Sequence, residues 1–194
     1  MNKTRVNLIK SDTRYGYFAK RVFAFAVDWY ISSVILNLII RLLLIFTGFG
    51  SKDGSIISYN LPSNLILIGS SLLVAFIYYV YIPYKSKKTA TIMMKVMGLE
   101  IVSLNDSKPS LNSLLNRFFI GSFFLQGILY SSFNTIIQTL SEVLSNKYLS
   151  IIDFLISVPM LILVIYSSIK AIKDRRLNQT IQGKISNTYV IERI

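Results

Sequence analysis

The stretch VFAFAVDWYISSVILNLIIRLLLIF, residues 22–46, is a long apolar run that contains one acid, Asp28, and one base, Arg41. An α-helix needs about 20 such residues to cross about 30 Å of hydrocarbon. Three further runs are close to or above this length, at residues 61–82, 118–137 and 151–169. The pattern predicts an all-α integral membrane protein with four transmembrane helices.

The distribution of basic residues predicts the orientation of these helices. Eighteen of the 21 lysines and arginines lie in three segments: before the first run, between the second and third runs, and after the fourth. The other two connections hold one each, Lys52 and Lys147. Because positively charged short loops stay in the cytoplasm, we expect a multi-pass protein of the cell membrane with both termini and the central loop cytoplasmic.

The net charge of +12 is explained by this topology. Basic segments beside a bilayer meet the anionic lipid headgroups of the cytoplasmic leaflet, so we expect the bilayer and these headgroups, and not nucleic acid, as partners. A homo-oligomer or a membrane partner protein is also compatible with the sequence.

The chain contains neither cysteine nor histidine. Without cysteine, the chain cannot form a thiolate metal site. Without histidine, it lacks the commonest metal ligand and the usual proton shuttle at neutral pH. The polar residues inside the apolar runs form no recognisable pair of nucleophile and base. We therefore expect no enzyme activity, no metal and no cofactor.

Two β-prone stretches lie on the predicted cytoplasmic side, LEIV at residues 99–102 and TYVI at residues 188–191. Neither is stable as an isolated strand, so we predict that they pair as a small two-stranded cap on the helices. The chain is divided into a basic cytoplasmic arm, residues 1–16, and one four-helix domain, residues 17–194.

Asp28 lies about two turns into the first run, and Arg21 precedes it by two turns on nearly the same helix face. A carboxylate alone in hydrocarbon is costly, so it needs a proton, a cation, a partner or a water-filled cavity. Two interpretations stay open. Asp28 either accepts hydrogen bonds that join helices while Arg21 anchors to headgroups, or it is an ion or proton site tuned by Arg21.

A second pair of opposite charges is predicted near the outer surface. Arg41 lies in the outer third of the first run, and Asp153 lies at matching depth near the start of the fourth. Either the two side chains form an ion pair, or Arg41 extends to the outer interface.

Polar and aromatic residues of the runs have simpler interpretations. The polar residues of the third run are expected to hydrogen-bond between helices rather than to line a pore; they are Ser122, Gln126, Ser131, Ser132 and Asn134. The aromatic residues near the ends of the runs are expected to form interfacial belts; they include Trp29, Tyr30, Tyr78, Tyr79, Tyr81 and Tyr84.

Several stretches together resemble the RDD family of membrane proteins. FAKRVFAFAVDWYI, residues 18–31, resembles the opening helix of the family, with Arg21 and Asp28 at the first two signature positions. TATIMMKVMGLEIV, residues 89–102, resembles the cytoplasmic segment, usually Gly-x-Thr-x-Gly-Lys followed by Gly-Leu-x-Val-Val. LLNRFF and DRRLNQTIQGKISNTYVI resemble the later segments of the family, so the likeness runs from about Tyr17 to the end. Beyond the first helix the matching positions are Thr91, Gly98, Leu99, Val102, Arg117, Arg176, Gln179, Thr180, Lys184, Thr188 and Val190.

The chain departs from the family pattern at three positions. Met93 and Met94 stand where the family usually has Gly and Lys, and Gly183 stands where the tail usually has an Asp. The resemblance implies a transport function, and some members of the family are described as sodium/proton antiporters. We therefore expect a transporter of a small ion or solute, with cation/proton exchange at Asp28. The alternative is a non-transporting membrane interaction protein, such as an immunity protein or an accessory subunit.

Overall fold

The computed structural model describes residues 11–47, 61–105, 107–144, 149–173 and 179–192. Three helices in these ranges are long and apolar enough to cross a membrane: Gly16–Thr47, Pro62–Lys85 and Phe154–Lys173. They coincide with the first, second and fourth apolar runs. The predicted class, a mainly helical membrane protein, is confirmed.

The three long helices have the following bounds. α1 spans Ser11–Thr47, so it begins inside the predicted basic arm, of which residues 1–10 lie outside the described residues. α2 spans Leu61–Phe76 and continues through a π-helical turn, Ile77–Tyr81, into α3, Ile82–Lys85. α7 spans Leu149–Lys173 and contains Pro159.

The third apolar run does not form one continuous helix. α5, Leu111–Leu115, passes into a π-helix at Asn116–Phe124 and a 3-10 turn at Gly127–Leu129. The backbone is extended at Tyr130, and α6 then spans Ser131–Leu144. Aromatic packing accompanies the break, because the rings of Phe123 and Phe133 meet edge to face across it, with centroids 5.2 Å apart. The expectation of four transmembrane helices is therefore met at three runs, and the third run is not among the membrane-length helices of the described residues.

The predicted two-stranded cap is confirmed. β1, Leu99–Ser103, pairs antiparallel with β2, Thr188–Glu192, and Leu99 lies opposite Glu192. The sheet is attached to the start of α1, because the Tyr17 hydroxyl donates to the Val190 carbonyl oxygen at 2.6 Å. A salt bridge between Lys20 and Glu192 joins the same two elements.

Each strand of the cap follows the same local structure. In each case a threonine in extended conformation precedes a five-residue helix. Thr91 precedes α4, Ile92–Val96, and Thr180 precedes α8, Ile181–Ile185. A two-residue turn then leads into the strand. The turn before β1 ends at Gly98, with φ 70°, and the turn before β2 ends at Asn187, with φ 53°. Glycine and asparagine adopt this left-handed conformation most readily. We call these two units the cap units (residues 91–103 and 180–192). Each follows two apolar segments, so the chain has two halves that share this order of elements.

Candidate functional site

The carboxylate of Asp28 is buried and accepts three hydrogen bonds. The Tyr78 hydroxyl donates to its Oδ1 at 2.6 Å, and the Thr91 hydroxyl donates to its Oδ2 at 2.5 Å. The backbone N–H of Met93 donates to Oδ1 at 3.0 Å. Only 2% of Asp28 is exposed. All three partners are neutral groups that donate, and the carboxylate oxygens accept from each of them.

These contacts join three parts of the chain at one side chain. Asp28 is on α1, Tyr78 is on the π-helical turn after α2, and Thr91 and Met93 are at the start of the first cap unit. The interpretation of Asp28 as an acceptor that joins helices therefore has direct contacts in the structure. Exchange of a proton or cation at Asp28 stays a prediction.

The second cap unit is built around Arg117. Its guanidinium donates to the Thr188 hydroxyl at 2.8 Å, and the Gln179 amide donates to the Thr188 carbonyl oxygen at 2.8 Å. Thr188 is fully buried. Thr180 caps α8 by accepting from the N–H of Gly183 at 3.4 Å. Four of the positions matched by the family resemblance, Arg117, Gln179, Thr180 and Thr188, thus lie together.

A cavity of about 370 Å³ lies between the two halves. Its walls come from α1, from the π-helical turn after α2, from the third apolar run, from α7 and from both cap units. Its polar lining residues include Arg21, Asp28, Thr91, Arg117, Ser122, Gln126, Ser167, Thr180 and Gln182. This volume is in the range of about 300–1,000 Å³ that small-molecule sites occupy.

The cavity has more positive than negative charge among its described lining residues. Two arginines, Arg21 and Arg117, line it, and Asp28 is the one acid. The acids of the cap sheet point elsewhere: Glu192 pairs with Lys20, and Glu100 alternates to the opposite face from the lining residues Leu99 and Ile101.

The two arginines are close enough to influence each other. Arg117 lies outside the three membrane-length helices and before the third apolar run. Burial, and after it the positive charge of Arg21, lower the pKa of Arg117 to about 10. The Arg117 side chain therefore remains charged at neutral pH. The guanidinium of Arg21 lies over the ring of Tyr17, with Cζ 5.6 Å from the ring centroid, at the end of α1 that contacts β2.

Some of the predicted contacts are present in the structure, and others involve side chains outside the described residues. Hydrogen bonding by polar residues of the third run is confirmed for Gln126, which accepts from the Gln182 amide, and for Ser131, which bonds to Ser33 of α1. The pairing of Arg41 with Asp153 is not settled, because the Asp153 side chain lies outside the described residues; Arg41 itself is exposed. Arg176 also lies outside them.

The belt interpretation is wrong for two of the tyrosines. Tyr78 is buried and binds Asp28. The Tyr79 hydroxyl hydrogen-bonds Ser32 at 2.9 Å, and its ring stacks on Phe118 with centroids 5.1 Å apart. Both lie on the π-helical turn, where the irregular backbone turns them towards α1 and the third run. The other four aromatics, Trp29, Tyr30, Tyr81 and Tyr84, are exposed, as a belt requires.

Comparison with known proteins gives one result. No curated protein and no solved structure matches the chain. The model of the RDD family matches residues 15–182, a range that includes Arg21, Asp28, Thr91, Arg117 and Thr180. Because that match covers most of the sequence, the chain belongs to the RDD family.

Proposed function

We propose that the protein is a small membrane transporter whose solute binds in the cavity between its two halves. The observation that carries this proposal is the cavity itself, about 370 Å³ in volume and lined by charged and polar residues from both halves. The cavity wall is mainly apolar, and charged and polar side chains in such a wall are costly unless they meet one another, water or a solute, so their presence supports a binding role.

The irregular third run supports this proposal. Ser122 and Gln126, which line the cavity, lie beside the change from π-helix to 3-10 turn. Backbone that departs from the α-helix inside a membrane is tolerated where protein buries it or where it lines a cavity. In many secondary transporters, such discontinuous helices form the substrate site.

Within this proposal, Asp28 couples a proton or cation to movement of the first cap unit. Its carboxylate holds Thr91 and Met93 through hydrogen bonds. Neutralising that carboxylate, or giving it a cation to bind, would weaken these bonds and release the cap unit from α1. The proposed coupling is thus between the charge of the Asp28 side chain and the position of the first cap unit.

Flux measurements in proteoliposomes test the proposal. A sodium or potassium gradient is imposed, and an enclosed pH-sensitive dye reports proton movement. We expect proton flux with the wild-type protein and none with Asp28→Asn, because the amide keeps the shape of the carboxylate but cannot ionise. Glu192→Gln is the matched control, since it neutralises an acid outside the cavity, and it should keep the flux.

Folding must be checked on the same preparations. The Thr91 hydroxyl can rotate to accept from the amide that Asp28→Asn introduces, so this variant should remain folded with a modestly lower melting temperature. Wild-type flux that survives in folded Asp28→Asn would remove Asp28 from the coupling. Folded wild-type protein that moves no ion under either gradient would contradict ion exchange and favour the alternative, a non-transporting interaction protein.

A further inference from the structure

We propose that the cavity binds a phosphate group, held between Arg21 and Arg117. This inference rests on the proposed function in one respect, the use of the cavity as the ligand site, and it names the chemical class of the ligand. Its charge, its hydrogen-bond donors and its position each point to this class.

The charge of the cavity favours an anion. Asp28 already accepts three hydrogen bonds from neutral donors, so its oxygens are committed to Tyr78, Thr91 and Met93. The described lining residues therefore carry two guanidinium groups and a single acid, whose oxygens already accept three hydrogen bonds. An anion between the arginines would relieve the repulsion that, after burial, lowers the pKa of Arg117.

The donors around the arginines favour a phosphate. The planar guanidinium of arginine binds two oxygens of a carboxylate or phosphate at once through paired hydrogen bonds. Two guanidinium groups on different sides of the cavity suit a tetrahedral group with several oxygens. Neutral groups complete the lining: the hydroxyls of Ser167 and Thr180, and the amide of Gln182, which gives one of its two protons to Gln126. Hydroxyls that now accept, such as Ser167 from the Ile181 N–H at 3.2 Å, can still donate their own proton to a ligand.

The position of the cavity fits a phosphate at the membrane surface. Arg21 is close to the start of the membrane-length helix Gly16–Thr47, and Ser167 and Ser168 are near the end of Phe154–Lys173. Val22 lines the cavity and is half-exposed, so an apolar part of its wall continues onto the outer surface of α1. The same phosphate chemistry is found in lipid headgroups and in soluble phosphates, and the experiment separates these two sources.

Binding is measured in detergent, where no flux is needed. The unfolding temperature of the purified full-length chain is followed by intrinsic fluorescence as a probe is titrated at constant ionic strength. The probes are inorganic phosphate and dioctanoyl phosphatidic acid, with chloride and dioctanoylglycerol as their phosphate-free counterparts. We expect stabilisation by a phosphate-bearing probe and none by its counterpart. A response to phosphatidic acid alone identifies a lipid headgroup, and a response to inorganic phosphate identifies a soluble ligand.

Three variants locate the site. Arg117→Gln and Arg21→Gln should each weaken binding roughly tenfold or more, because each removes a charged donor from a buried site. Arg41→Gln is the matched control on α1, far along the helix from the cavity, and should bind like wild type. Arg117 also bonds Thr188, so Arg21→Gln decides the question if Arg117→Gln fails to fold.

Two results would overturn the inference. One is folded wild-type protein that no phosphate-bearing probe stabilises beyond its counterpart. The other is binding that is unchanged in Arg21→Gln, or in a folded Arg117→Gln. Because binding is measured without a gradient, phosphate binding without flux would count against transport alone. Flux of ions without phosphate binding would count against this inference alone.

Discussion

Gly183 shows how a single position can set the packing of the second cap unit. A Cβ atom at this residue would lie 2.6 Å from the Thr188 carbonyl oxygen and 2.9 Å from Cγ of Gln179. Such distances are far below van der Waals contact, so β2 and Gln179 occupy the space that a side chain would need. The family usually has an Asp at this position, so glycine here also leaves one acid fewer near Arg117. The Nη1 atom of Arg117 lies 3.5 Å from the position that a Cβ of residue 183 would take.

Substitution of Gly183 should therefore destabilise the protein. We expect Gly183→Ala to lower the free energy of unfolding by about 1–3 kcal/mol, the usual cost of overpacking. Gly183→Asp should also destabilise, although Arg117 is close. Gly69→Ala is the control, because a Cβ there meets nothing within 4 Å, and it should be neutral or slightly stabilising. Denaturant unfolding in detergent measures all three, and a Gly183→Ala protein as stable as wild type would contradict this packing.

At the scale of single residues, the sequence identified the charged groups of the site but not most of their partners. Asp28 stands out because charge inside an apolar run is rare, and Arg21 stands out because it precedes Asp28 by two turns on nearly the same helix face. Tyr78 does not stand out, because a tyrosine near the end of a run is usual at a membrane surface. Its contact with Asp28 joins residues 50 positions apart and depends on a π-helical turn that no local pattern predicts. Arg117 was identified only through the family resemblance, and its contact with Thr188 was not foreseen.

Among the elements, the strands of the cap were predictable, but the likeness of the two cap units was not predicted. The strands were found because each is a short β-prone run on the same side of the membrane. The repeated signal was present in the sequence as Thr-Ile-x-x-Lys, at residues 91–95 and 180–184. It is too short to be noticed without the matching helix, turn and strand. The broken third run was missed because hydropathy reports how apolar a segment is and not where its backbone departs from a helix.

The two threonines that begin the cap units should differ in importance. Thr91 donates to the Asp28 carboxylate, so Thr91→Ala should cost roughly 1.5–3 kcal/mol of stability, as expected for a hydrogen bond to a charged group. Thr180 accepts from one backbone N–H, so Thr180→Ala should cost about 1 kcal/mol, as for other helix caps. Unfolding midpoints in detergent compare the two. Thr91→Ser keeps the hydroxyl and should recover most of the loss, whereas equal effects of both alanine variants would contradict the assigned contacts.

For the whole molecule, the contacts of the cap constrain how the chain crosses the membrane. α1 starts beside β2, because Tyr17 bonds Val190. α3 ends shortly before the first cap unit, and α7 ends beside the second, where Ile181 bonds Ser167. Since α1 leaves the cap, and α2 and α7 both return to it, we predict that the third apolar run, residues 118–137, provides the remaining outward crossing. The broken segment would then be the third of four crossings in chain order, although it is not one continuous helix.

The side of the membrane on which the cap lies is predicted from charge and is testable by cysteine labelling, because the chain has no cysteine of its own. Cysteines at Ser51 and Ser145, in the predicted outer connections, should react with an impermeant maleimide in intact cells. Cysteines at Ser107 and Asn112 are exposed on the cap side and should react only after the cells are permeabilised. Ser186 is buried, so it would stay unlabelled on either side. Because positively charged loops are retained in the cytoplasm, labelling at Ser107 in intact cells, with Ser51 protected, would show that the orientation is reversed.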